Sequence, residues 1–361
     1  MTKITTNAVE QLLETYLLPG LKLDAISSNM VKNISINDDN IHIDIQLNFP
    51  AREYSDILKI ALSDYLQKKT GFNIQLNITW QVIQHKVQTG LRPIPGIKNI
   101  IAVGSGKGGV GKSTSAVNLA LALYREGAQV GLLDADIYGP NQPQMLGVIE
   151  RPVTHDNKTM EPILAHGMQT MSIGYLVDQN AAMVWRGPMV SGALTQLLND
   201  THWHDLDYLI IDLPPGTGDV QLTMAQKIPV SGSIIVTTPQ EIALLDVRKA
   251  INMFNKVHVP ILGIVENMST HVCTNCQKEE PIFGHGGGEL IAEQFNVDML
   301  GALPLSLPIR EQGDKGSPIV IADPKHPASL KYIEIARKVS AQLSLMPKDT
   351  ASKFPKIEIE S

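Results

Sequence analysis

Residues Gly104–Leu123 read GSGKGGVGKSTSAVNLALAL and carry the spacing G-x-x-x-x-G-K-S from Gly106 to Ser113. The stretch follows the apolar run NIIAV and opens into a segment of helical period. Around Val110, the glycines Gly106, Gly108, Gly109 and Gly111 let main-chain N–H groups curl around phosphate oxygens that a Cβ would crowd. Lys112 supplies charge to the β- and γ-phosphates, and Ser113 offers a hydroxyl to Mg²⁺. The helix that follows, with Thr114 in its first turn, aims its N-terminal dipole at the same phosphates. Strand, loop and helix in that order predict a nucleotide site for ATP with Mg²⁺. The loop holds a second cation, Lys107, directly after its first glycine. That lysine either adds a contact to its own nucleotide or serves a neighbouring molecule.

Two more acidic elements sit at strand ends. In YLIIDLPPGTGD, Asp212 closes an apolar run, where a carboxylate holds the Mg²⁺ shell, and Gly216 and Gly218 make the next stretch pliable enough to sense the γ-phosphate. In LLDADIYGPN, Asp134 and Asp136 end another run. Asp136 is the better placed to position the attacking water or join the Mg²⁺ shell.

GKGGVGKST, LLDADIYGPN, IIDLPPGTGD and VENMS together resemble the deviant Walker A ATPases, the group that includes the nitrogenase iron protein and the MinD and ParA ATPases. WRGPMVSGALTQLL, DADIYGPNQPQMLG and the CTNC after ENMS resemble the Mrp/ApbC iron–sulfur cluster carriers within it, over essentially all of 98–345. Residues 1–88 resemble the small domain often fused in front of bacterial members. That domain frequently has a D-P-E motif and sometimes a cysteine, whereas here LLPGLKLD stands near the motif and no cysteine occurs. The resemblance implies ATP hydrolysis in a homodimer, with Lys107 reaching across to the partner's nucleotide. It also implies adenine contacts from Asn267 and from the loop around Pro304.

STHVCTNCQ holds the chain's only two cysteines, Cys273 and Cys276. Two thiolates at chelating spacing are half of a four-ligand metal site. Two such pairs across a two-fold axis complete a Cys₄ site, expected as a [4Fe–4S] cluster bridging two subunits. A zinc site completed by His271, His258 or His285, a redox dithiol and an inert pair are the alternatives. The nearby FGHGGGE (283–289) either lets backbone approach the metal or forms a flexible loop, and WRGP (185–188) reads as a brace for the switch region.

The rest of the chain sets the frame. Apolar strands alternating with helices predict an α/β P-loop fold, a mostly parallel sheet covered on both faces, with its sites beyond the carboxyl ends of the strands. NIHIDIQLNF alternates and is flanked by helix-periodic segments, so residues 1–88 predict a small α/β accessory domain. Residues 89–97, rich in Gly and Pro, read as a linker, 98–345 as the ATPase domain and 346–361 as a disordered tail. A net charge of −6 speaks against a basic nucleic-acid surface. No run approaches the ~20 apolar residues of a membrane span, and no signal peptide opens the chain, so a cytoplasmic protein is expected. The leading expectation is an ATP-hydrolysing carrier that passes its cluster to apo-proteins. A MinD- or ParA-like positioning ATPase and a nitrogenase-iron-protein-like electron donor are the alternatives.

Overall fold

The computed structural model describes residues 4–155, 158–177, 187–273, 275–276 and 278–349. Trp185 and Arg186, and the tail beyond Asp349, lie outside the described residues. The small N-terminal unit runs α1 (Thr6–Glu14), β1 (Val31–Asn37), β2 (Asn40–Leu47), α2 (Tyr54–Thr70) and β3 (Asn73–Trp80). Its sheet has the order β1-β2-β3, with β2 antiparallel to β1 and parallel to β3. β2 buries one face through Ile41, Ile43, Ile45 and Leu47. Leu58, Leu62 and Leu66 follow at i, i+4 spacing on α2 and cover that face.

The large unit continues with β4 (Ile97–Gly104), α3 (Lys112–Arg125), β5 (Val130–Asp134), α4 (Gln142–Leu146), β6 (Ile163–Ala165), β7 (Met168–Ser172) and α5 (Gly187–Asp200). Next come β8 (Leu206–Asp212), α6 (Asp219–Lys227), β9 (Gly232–Thr237), α7 (Glu241–Lys256), β10 (Ile261–Glu266) and the short hairpin β11 (His271–Val272) and β12 (Glu279–Glu280). The unit ends with α8 (Gly287–Phe295), β13 (Met299–Ala302), α9 (Leu307–Asp314), α10 (Ile319–Ala322) and α11 (Pro327–Ser344). Eight strands lie in the order β13-β10-β9-β4-β8-β5-β7-β6, all parallel except the edge strand β6. Helices α3 and α11 pack on one face, and α5, α6, α7 and α8 on the other. Burial from both sides is why β8 runs apolar from Tyr208 to Ile211 and β9 from Ile234 to Val236 instead of alternating. No helix among the described residues is long and apolar enough to cross a membrane.

The two units share a buried junction at Glu126, just past the end of α3. Its Oε1 accepts from Arg337 Nε and Nη2 at 2.8 and 2.5 Å. Its Oε2 accepts the main-chain N–H groups of Glu53 and Tyr54 at 3.2 and 3.3 Å, so it caps α2 from the other unit. The Arg337 guanidinium lies 5.4 Å from the centre of the Tyr54 ring.

Residues 346–349, which open the stretch expected to be disordered, are tied to the fold. Lys86 and Asp349 exchange main-chain hydrogen bonds with Pro347 and Gln84, and the buried His85 ring meets the Met346 carbonyl at 3.1 Å. Main-chain pairing is indifferent to the polar composition that suggested disorder. Burial holds the His85 imidazole below its ordinary pKa.

Candidate functional site

The phosphate-binding loop leaves β4 at Gly104 and enters α3 at Lys112. Gly109 and Gly111 take φ of +82° and +81°, the left-handed region. A Cβ on Gly111 would lie 2.1 Å from Asn267 Nδ2, and one on Gly106 would lie 2.4 Å from the Asp246 main-chain carbonyl carbon on α7. Asn267 fixes the loop by donating from Nδ2 to the Val110 carbonyl at 2.8 Å.

The Lys112 side chain is only 5% exposed. Its ammonium donates to Asp212 Oδ1, and to Ser113 Oγ at 3.3 Å. Asp212, at the end of β8, accepts on Oδ2 from Gln142 Nε2 at 2.9 Å, and the same nitrogen reaches the Ser113 carbonyl at 3.0 Å. Gln142 Oε1 is buried with no partner among the described residues. Asp134 is fully buried and accepts from Asp136 N–H, Gln142 N–H and Ser172 Oγ. Burial, and then the neighbouring Asp212 charge, push its carboxyl up to about 7. Asp136 is also raised, first by burial, with Lys112 pulling the other way. Ser113, Asp136, Asp212 and the free Gln142 oxygen form an oxygen-rich set beside Lys112, and the glycine cradle adds N–H donors. That combination fits a magnesium–triphosphate.

A cleft of about 310 Å³ adjoins the loop and brings Gly111, Thr114, Asn267 and Pro304 together with Ile309 and Tyr332. Lys107 is half-buried, and its ammonium makes no ion pair among the described residues. The stretch after Asp212 is tied to the loop where Gly216 N–H donates to the Ser105 carbonyl at 3.1 Å.

Cys273 and Cys276 sit in the turn between β11 and β12, half-buried and exposed respectively. The Cys276 and Asn275 N–H groups and the Cys276 thiol hold the Cys273 thiol below its ordinary range. Among the described residues no third histidine, cysteine or carboxylate joins the pair as a ligand group. His271, the nearest zinc alternative, turns Nδ1 to the Leu305 carbonyl at 3.2 Å. The glycines of 283–289 do not form a plain loop at their C-terminal end. Gly287 and Gly288 begin α8 where a Cβ would meet the Pro239 carbonyl oxygen at 2.7 Å and Glu266 Cβ at 3.1 Å.

Gln142, Asp246 and Glu266 escaped the sequence reading. Gln142 directly follows the quoted LLDADIYGPN, and its amide after a strand-end acidic pair was the available signal.

Comparison with known proteins agrees with this geometry. The family model described as NUBPL iron-transfer P-loop NTPase matches residues 96–340, and one described as iron–sulfur cluster assembly protein matches 6–71. The iron–sulfur cluster carrier protein of Haemophilus influenzae is 49% identical over 95% of this chain and 93% of its own length. That of Escherichia coli K12 is 51% identical over 90% and 89%. Among solved structures, a nucleotide-binding protein from Archaeoglobus fulgidus in complex with ADP is 36% identical with a TM-score of 0.57, covering 65% of this chain and 91% of that one. The MinD ATPase of Pyrococcus furiosus, 24% identical with a TM-score of 0.50 over 67% and 98%, shares the fold. The chain belongs to the NUBPL-type iron-transfer family of P-loop NTPases, together with the bacterial iron–sulfur cluster carrier proteins.

Proposed function

We propose that this chain is an ATP-hydrolysing carrier that holds a [4Fe–4S] cluster between two copies of itself and passes it to apo-proteins. The observation that carries the reading is the cysteine pair. It lies at the surface in a short hairpin, each chain has only two cysteines, and no third ligand stands beside them among the described residues. Two thiolates leave a four-ligand cargo half-held, and a two-fold axis supplies the other half.

In the nucleotide site Lys112 neutralises the β- and γ-phosphate oxygens, and Asn267 keeps the loop closed around them. Ser113, Asp136 and Asp212 would hold Mg²⁺, which when bound supplies charge to the same oxygens. Asp136 orients the attacking water. Lys107, unpaired within its own chain among the described residues, acts on the partner's nucleotide, so hydrolysis requires the dimer. The tie between Gly216 and Ser105 gives the nucleotide state a route into the segment after Asp212. Hydrolysis is slow and coupled to loading or release. Thr114, Asn267 and Pro304 line the cleft that receives the base. Residues 1–88 are an accessory unit, 98–345 the ATPase unit.

Anaerobic reconstitution of the full chain tests this. About four iron and four sulfide per dimer are expected, a ratio set by Cys₄ ligation. Cys273→Ser or Cys276→Ser should lose the cluster and keep ATP binding. A cluster held stably by a monomer, or failure to transfer it to an apo-protein, overturns the reading.

A further inference from the structure

At the end of the large sheet opposite the phosphate loop, the segment between α5 and β8 carries His202 and His204 on either side of Trp203. An extended chain sends residues i and i+2 to one side and i+1 to the other. Trp203 accordingly points inward, 3% exposed, and its indole N–H donates to the Leu198 carbonyl at 3.1 Å. Both imidazoles stand outside, their ring centres 4.3 Å apart. Glu161, from the segment leading into β6, reaches both, with Oε1 at 3.1 Å from His202 Nδ1 and Oε2 at 2.8 Å from His204 Nε2.

The backbone holds this trio firmly. His202 N–H donates to the Met160 carbonyl at 2.8 Å, and Met160 N–H to the Asp200 carbonyl at 2.7 Å, which sets Glu161 beside the histidines. Gln169 clamps His204 on both sides, accepting its N–H at 2.9 Å and donating to its carbonyl at 2.7 Å.

We propose that Glu161, His202 and His204 form a divalent-metal site of the zinc class, separate from the cysteines and from the nucleotide. The three donor atoms lie within 4.8 Å of one another. Zinc bonds of about 2.0–2.2 Å in a tetrahedral arrangement separate ligand atoms by about 3.3–3.6 Å, so the contacts at 3.1 and 2.8 Å open by about 0.2–0.8 Å and any pair near 4.8 Å closes by about 1.2–1.5 Å. Two imidazoles and one carboxylate favour Zn²⁺, Co²⁺ or Ni²⁺ over Mg²⁺ or Ca²⁺, which take oxygen donors. The ring protons now shared with Glu161 move to the far nitrogens, His202 Nε2 and His204 Nδ1, when the metal takes their place. The fourth position faces solvent, because the three side chains are 61, 50 and 32% exposed. A metal here clips the segment before β6 to the start of β8.

The test uses the untagged full chain with Cys273→Ser and Cys276→Ser, so that no thiolate competes. Titration with Co²⁺, read by its visible absorption and displaced by Zn²⁺, should show about one ion per chain that excess Mg²⁺ does not remove. His202→Ala with His204→Ala should abolish it. Gln169→Ala, which loosens only the support of His204, should weaken it by about ten- to a hundredfold. Zn²⁺ should raise the melting temperature of the cysteine-free chain and leave that of the histidine variant unchanged. The absence of saturable binding in the cysteine-free chain overturns the proposal, as does binding that survives loss of both histidines in a variant with native circular dichroism.

Discussion

Glu126→Ala should be among the most damaging single substitutions outside the nucleotide site. The residue is 1% exposed and satisfies two groups at once, the Arg337 guanidinium and the first N–H groups of α2. Removing one partner of a buried pair costs about 3–5 kcal/mol, because the remaining charge stays desolvated, and Arg337 is only 13% exposed. Losing the cap on α2 adds about 1 kcal/mol. The sum, about 4–6 kcal/mol, is a large share of the 5–15 kcal/mol by which domains are typically stable. Glu126→Gln keeps an acceptor but no charge, and should cost less, roughly half as much. An apolar pair, Glu126→Leu with Arg337→Met, should be milder than the sum of its single changes, since neither charge is left alone. Urea unfolding followed by circular dichroism measures all five variants, the two single members of the pair included. A cost below about 1 kcal/mol for Glu126→Ala, or strict additivity in the pair, would refute the reasoning.

Lys112→Ala should abolish nucleotide binding, whereas Lys107→Ala should spare binding and lower hydrolysis by about a thousandfold, as loss of a charge delivered in trans does. Equal losses of binding in the two variants, by calorimetry with ATP, would remove the distinction. Asp134 gives a pH test. Its folded carboxyl titrates near 7, above the unfolded value of about 3.9, so the stabilisation is complete below pH 4 and is lost as pH rises through 7. Asparagine has no such loss. The penalty of Asp134→Asn in urea unfolding should therefore shrink by about 2 kcal/mol between pH 5.5 and 8.5, and an unchanged penalty would contradict the assignment.

The parts of this molecule legible in the sequence are those whose partners lie close along the chain or whose burial imposes a period. Ile41 to Leu47 alternate because one face of β2 is covered, and β8 runs apolar from Tyr208 to Ile211 because both of its faces are. The phosphate loop could be read because its glycines, lysine and serine occupy eight consecutive residues, Gly106 to Ser113. What escaped depends on contacts across the fold. Asn267 meets Val110 across 157 residues and Gln142 meets Asp212 across 70. Glu126 looks like an ordinary polar helix end until Arg337, 211 residues on, is placed beside it. Gly106 makes room for phosphate by its spacing, and the fold adds a second reason, the backbone of Asp246. The edge strand β6 has only three residues, too few to show a period.

Helix α3 begins at Lys112, at the end of the phosphate loop, and stops one residue short of Glu126. Its 14 residues make a rod about 21 Å long, with the phosphate loop at one end and the small unit moored at the other. A tilt of 10° about the loop would swing the far end by about 3.7 Å, more than any hydrogen bond at Glu126 can stretch. So the rod has two options when the loop closes on phosphate. It stays still, and the small unit remains fixed whatever the nucleotide. Or it pivots, and the mooring must let go.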